Sequence, residues 1–534
     1  MLLLVWLLLA PRTPDLAAAV YRVDLFGHAG FSIYDARWYA GHELPGYSVL
    51  FAPLGWLLGA RVLAALSVLV SVACFEGLTA PAYGRPARSA SVAFAVAAIG
   101  DVWIGRLAFA LGVSFALAAA LALARRRPAA AGALAALSAA ASPVAGLLLA
   151  LAALTHALWR RSPPALLALA APAVLVALAL SGLFAEGGWE PYPIVSFAAT
   201  ALVVAAFAWA LPAGAGELRL GAALYALACG AALLVHTPMG SNVERYGVLL
   251  AGPMLLCALA AARGAGGGEA SAGRGARFAG AFGRGGGLRP GGALAALVAL
   301  VAWGVWTAWG PLRETLAVAG EASTRSAYYA PVERFVEAAE RAGTPVRIEV
   351  PLTRSHWEAA ELAPRVSLAR GWEKQLDERY DGVLLSRGLT AAGYERWLHE
   401  QAVAYVALPD AKLDASSARE GALVAAGLPY LREVFASRHW RIYAVRNATP
   451  IATGPGRLSS LGHESFALSA SARGSFVVRV HYTRYWTLAR GEGCVGRAPG
   501  GWTRVVARAP GELRVRAVFS LARALGGAGA CRAG

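Results

Sequence analysis

Lysine is almost missing from this chain: of 49 basic residues only Lys374 and Lys412 are Lys, and the rest are Arg. Together with 60 Gly and abundant Ala, that skew reads as high-GC codon usage. No basic module interleaved with aromatics is present, so the formal charge of +17 implies no nucleic-acid partner. Charge of either sign is scarce too. Charged residues make up 15% of the chain, against roughly 25% in soluble domains. Cysteine is limited to five positions. Cys74, Cys229 and Cys257 lie in apolar segments and read as small core residues. Cys494 and Cys531 lie in the polar C-terminal part, where a disulfide and two separate thiols both remain open. The motifs G-x-x-x-x-G-K-S/T, H-E-x-x-H and C-x-x-C are absent, which removes the P-loop, zinc-peptidase and dithiol readings they would carry.

Apolar residues fill the space left by these absences. The chain is 57% hydrophobic with a mean hydropathy of +0.52. Runs near bilayer-crossing length recur from Met1 to about residue 310. The expected fold is a polytopic α-helical membrane protein of about 11 transmembrane helices, followed by a C-terminal extracytoplasmic α/β plus β domain. We divide the chain into a membrane domain over 1–312 with a large first outer loop at 11–46, an α/β domain over 313–450 and a β-rich domain over 451–534. The stretch 263–292, low in complexity and rich in Gly and Arg, reads as a cytoplasmic linker. Met1–Ala10 lacks a basic n-region and an A-x-A site, so it reads as a first membrane helix rather than a cleaved signal, short enough that the true start could lie upstream.

Arg clusters mark the cytoplasmic side. They occur at Arg85 and Arg88, at Arg125–Arg127, at Arg160 and Arg161, and in the linker. An odd number of crossings then places the N-terminus inside and the C-terminal domain outside, in the plasma membrane. Of the ten acidic residues before residue 263, eight fall on predicted outer turns: Asp15, Asp24, Asp35, Glu43, Asp101, Glu186, Glu190 and Glu244. Acidic residues contribute little to orientation. Their one-sided placement suggests that the outer face uses carboxylates.

The first outer loop concentrates these groups. It carries Tyr21, Tyr34, Trp38, Tyr39 and Tyr47, side chains suited to the headgroup region and to stacking on sugars. "PDLAAAVYRVDLF" sets Asp15, Arg22 and Leu25 on one helical stripe with Pro14 in the first turn. That describes an interfacial helix with a carboxylate at its start. "LPGYSVLFAPLGWLLG" (44–59) then leads into the second apolar block. With the overall layout, these residues resemble the GT-C superfamily of integral-membrane glycosyltransferases from a high-GC bacterium. The resemblance implies sugar transfer from a polyprenyl-phosphate carrier to an envelope glycan or lipid acceptor, with the bilayer as the third partner. It implies catalytic carboxylates among Asp15, Asp24 and Asp35. The expected substrate-binding residues are Arg22, Arg37, Trp38, His42, Glu43, Tyr47, Asp101, Arg106, His236, Glu244 and Arg245. No cofactor and no metal ligands are expected; a divalent metal stays open, although the loop has no adjacent acidic pair. That missing pair keeps a non-catalytic envelope scaffold as the alternative. A transporter or flippase would call for internal repeats and mid-membrane charges, and we see no convincing repeat.

Overall fold

The computed structural model describes residues 1–85, 87–161, 163–185, 187–264, 291–526 and 531; the linker expectation thus lies almost wholly outside the described residues. The chain packs as two compact units. The first comprises Met1–Ala19, Tyr47–Gly182 and Gly187–Leu316; the second comprises Val20–Gly46, Leu183–Glu186 and Ala317–Gly534.

The first unit is helical: α1 (Leu2–Leu9), the start of α2 (Pro14–Ala29), α3 (Phe51–Leu58), α4 (Ala60–Tyr83), α5 (Ala87–Ile104), α6 (Leu107–Ala124), α7 (Pro128–Ala141), α8 (Pro143–Arg160), α9 (Ala171–Leu183, preceded by a π turn), α10 (Ile194–Ala210), α11 (Gly216–Leu234), α12 (Glu244–Gly264) and α13 (Gly292–Val318). Among the described residues eight helices are long and apolar enough to cross a membrane, and α1 with α2, bent by 71°, makes a ninth if counted as one span. The expectation of about eleven also takes in α7 and α10, which are apolar but shorter.

Ala and Gly do more here than reflect codon usage. A Cβ on Gly112 of α6 would lie 2.7 Å from the Ala145 Cβ, and one on Gly146 would lie 2.6 Å from the Ala139 Cβ. Ser138 Oγ donates to Gly112 O at 2.8 Å. Small residues therefore let α6, α7 and α8 approach backbone to backbone, the packing that replaces hydrophobic driving force between helices in lipid. Breaks are equally local. Pro143 opens α8, and Ser142 caps it by accepting from Ala145 N at 3.5 Å. Arg61 of α4 donates through one guanidinium nitrogen to Ala10 O and Pro11 O, both at 2.9 Å, and so caps the carbonyl end of α1.

Among the described residues, the sheets lie in the second unit. A five-stranded sheet runs β4 (Ser367–Leu368), β3 (Arg347–Glu349), β5 (Val403–Pro409), β7 (Trp440–Val445), β6 (Leu431–Ala436). β3 is parallel to both β4 and β5, and the remaining pairs are antiparallel. Two four-stranded antiparallel sheets follow. One is ordered β12 (Trp486–Arg490), β15 (Gly511–Ala517), β10 (Ser465–Ala470), β9 (Gly456–Leu461); the other is ordered β13 (Gly493–Arg497), β14 (Trp502–Ala507), β11 (Gly474–His481), β8 (Ala452–Thr453). Cys494 and Cys531 form a disulfide with Cα atoms 5.2 Å apart, which resolves the choice the sequence left open.

Residues 33–43 are woven into this unit. They form the short pair β1 (Tyr34–Asp35) and β2 (His42–Glu43). Leu368 N donates to Arg37 O, His481 N to Ala40 O and Ala36 N to His463 O. The first outer loop is therefore mostly framework of the C-terminal unit rather than an appendage of the helices.

Candidate functional site

The helical unit gathers its polar groups where α2 begins. Ala10 leaves α1 in the left-handed region, and Pro14 opens α2. Thr13 Oγ1 donates to Trp103 O at 3.0 Å, which fixes the bend against the end of α5. Gly105 then turns the chain from α5 into α6 at φ +112°. A Cβ there would sit 2.3 Å from Leu16 N and 2.9 Å from Asp15 C, so the turn presses directly on the backbone that carries Asp15.

The consequence is a charged chain. Arg106 Nε lies 3.7 Å from Asp15 Oδ2, and Arg106 Nη1 lies 3.4 Å from Asp101 Oδ1. Asp101 is buried, with 5% of its side chain exposed, whereas 36% of Asp15 is exposed. Burial works against the Arg106 charge, but Asp101 and Asp15 more than offset it and hold the guanidinium firmly protonated. A second cation, Arg245 at the start of α12, lies over the Phe109 ring at 5.0 Å and is bonded to Asn242 Oδ1. It interacts electrostatically with Arg106, Asp101, Asp15 and Tyr47. Beside it, Glu244 accepts from Thr200 Oγ1 at 3.3 Å. His236 packs against Trp189 with ring centroids 4.2 Å apart and the planes tilted by 49°.

Of the residues singled out in the sequence, Asp15, Tyr47, Asp101, Arg106 and Arg245 come together here. The others from the first loop lie in the second unit. Arg22 is ion-paired with Glu373 and lies 5.2 Å from the Trp38 ring centroid. Asp24 pairs with His28 on an exposed helical face. Asp35 is fully buried, accepting from Tyr21 Oη and from Arg37 N and lying 3.0 Å from His463 Nδ1. Burial raises its pKa, and His463 with these hydrogen bonds lowers it to below the usual value. Arg37 donates to Leu461 O and Pro364 O. Trp38 is fully buried, and burial brings the neighbouring His42 down to about 4. Glu43 accepts from Thr483 Oγ1 at 2.7 Å, its pKa raised by burial.

Thr13, Gly105, Phe109 and Asn242 belong to the helical cluster and were not foreseen. The one sequence signal for them is Gly105 between two helix-forming runs. Among the described residues, no three His, Cys, Asp or Glu side chains converge as metal ligands.

No protein-family model and no curated protein matches the chain. Solved structures that resemble it include the following two. One is the arabinofuranosyltransferase AftD from Mycobacteria, at 19% identity and a TM-score of 0.46 over 81% of this chain and 38% of that one. The other is ArnT from Cupriavidus metallidurans bound to undecaprenyl phosphate, at 14% identity and a TM-score of 0.41 over 84% of this chain and 97% of that one. The chain thus spans well under half the length of the AftD chain. By its own elements this is a multi-pass membrane protein: many apolar helices, polar residues just behind the first helix and a C-terminal unit of mixed α/β and β sheets.

Proposed function

We propose that the protein is a membrane glycosyltransferase that moves a sugar from a polyprenyl-phosphate carrier to an envelope acceptor on the outer face. The observation that carries this reading is the half-exposed Asp15 carboxylate at the start of α2, held by Arg106 beside buried Asp101. Asp15 is the general base: it takes the proton of an acceptor hydroxyl as that oxygen attacks the anomeric carbon. The bond from that carbon to the carrier phosphate breaks, with inversion, and the electron pair leaves with the lipid phosphate. Arg106 and Arg245 stabilise the charge that develops there. Asp101 is a positioning residue that keeps Arg106 oriented.

The test is turnover of radiolabelled polyprenyl-phosphate sugars by protein in nanodiscs, compared with Asp15→Asn. We expect the variant to fold and to lose at least about a hundredfold in rate, the scale of a general base. A donor panel with no turnover by the wild type, or turnover untouched by Asp15→Asn, removes the assignment.

A further inference from the structure

A separate cluster in the C-terminal unit holds buried donors that have no partner among the described residues. Arg347, the first residue of β3, is fully buried. Its Nη1 donates to Gln401 O at 2.6 Å and its Nε to Ser367 Oγ at 3.4 Å. Among the described residues its Nη2 has no hydrogen-bond partner, and no carboxylate pairs with it. A buried guanidinium ordinarily has a carboxylate partner, because desolvating the charge alone is costly.

The second orphan is His481, the last residue of β11 and 8% exposed. Its ring is stacked between Tyr380, at 4.0 Å and 19°, and Trp502, at 4.4 Å and 15°. The buried Nε2 has no partner among the described residues. The Tyr34 hydroxyl donates to His481 O at 2.5 Å and interacts electrostatically with Arg347, which ties the two orphans to one neighbourhood. Arg347, Arg379, His42 and Arg497 all act on His481 through their charge. Arg379 and Arg497 are exposed, whereas Tyr380 and Trp502 are half-buried. Gly500 and Gly501, both at positive φ, turn the backbone into Trp502 beside the His481 ring. Arg379 Nη1 donates to Ala185 O at 3.5 Å, and Glu43, which interacts electrostatically with Arg379, is bonded to Thr483.

We propose that this cluster is a binding site for a phosphate monoester, with His481 Nε2 and the Arg347 guanidinium as inner donors and Arg379 and Arg497 at its rim. Donors arriving from separate elements suit the oxygens of a tetrahedral dianion, and two guanidiniums at the rim add charge-assisted bonds. The ligand is either a soluble sugar phosphate or a lipid headgroup, which share this chemistry.

The experiment is equilibrium dialysis of radiolabelled inorganic phosphate against the full-length protein in detergent. The background is Arg106→Gln/Arg245→Gln, so that cations of the helical unit do not contribute. We expect saturable binding, weakened about tenfold or more in Arg497→Gln and in His481→Gln, as for loss of a charge-assisted bond. Arg497 is exposed, so its substitution leaves the fold in place; His481→Gln is checked by its unfolding midpoint. Displacement of the label by nanodiscs containing phosphatidic acid, but not by phosphatidylcholine alone, assigns the headgroup; displacement by a hexose phosphate alone assigns the soluble ligand. No saturable binding, or equal binding by both single variants and their parent, overturns the site. Asp15→Asn binds phosphate like its parent in either case, so the result is independent of the glycosyltransferase reading.

Discussion

Single side chains in this protein are placed by burial more than by sequence neighbourhood. Asp377 illustrates the cost. It is 2% exposed and accepts from the Tyr39 hydroxyl at 3.0 Å. Burial raises its pKa to about 7, with Arg370 pulling the other way. From the unfolded value, roughly 4, up to about 7, the folded state holds a proton that the unfolded state has lost. Stability from this group therefore falls as pH rises through that window. Asp377→Asn should gain on the wild type between those limits, by a few kcal/mol at most, read as the difference in unfolding midpoint at pH 4 and pH 8. A difference that stays constant with pH would show that Asp377 titrates normally. Residue types were legible in the sequence at this scale, and partners were not. Asp35 and Asp15 look alike in the first loop, yet one lies near a histidine 428 positions away and the other meets Arg106. Nothing in local spacing separates the two.

The helices were the most readable elements. Each apolar run placed between Arg clusters is a helix, because a segment that must satisfy its own backbone in lipid has few alternatives. The outer turn expected around Asp101 narrows to Gly105 and Arg106, because α5 runs on through Ile104. Its contact with α2 is not legible in the spacing, since that depends on one missing Cβ. Gly105→Ala tests it. Alanine at φ +112°, with its Cβ 2.3 Å from Leu16 N, must push α2 away from the turn. We expect a loss on the order of 1–3 kcal/mol from the strained backbone, measured as a drop in the unfolding midpoint, with sugar transfer falling further because Asp15 shifts from Arg106. Unchanged stability and transfer would show that the turn has slack. Strands were readable where they alternate, as in β11 and β15, and unreadable in β1 and β2, whose two residues each carry no period.

For the whole molecule, sequence order and packing disagree in one respect. Boundaries drawn from composition put the entire first loop with the membrane domain, whereas packing assigns Val20–Gly46 to the C-terminal unit. Composition registers polarity and cannot register the partner on which a polar stretch packs. Orientation gives the prediction at this scale. Arg127 lies on the exposed α6–α7 connection and Pro238 on the exposed α11–α12 connection, with an odd number of helices, α7 to α11, between them. Since Arg marks the cytoplasmic face, Pro238→Cys should react with a membrane-impermeant maleimide in intact cells, and Arg127→Cys only after permeabilisation. The native thiols Cys74, Cys229 and Cys257 are buried and give little background. The reverse pattern would invert the topology.

The weaving of residues 33–43 into the C-terminal sheets also sets a timetable for biosynthesis. Ile33 N is bonded to Glu464 and Ala36 N to His463, contacts more than 400 positions apart. A ribosome releases the first loop long before the strands that clasp it exist, and every helix from α3 to α13 must be inserted in between. Until then, Trp38 and Tyr39, fully buried in the finished protein, stay uncovered. Such late, long-range closure is slow and exposes the chain to misassembly. It also makes the C-terminal strands the step that completes the first outer loop, so a chain halted before residue 463 would carry α1 to α13 and still have an unfinished first loop.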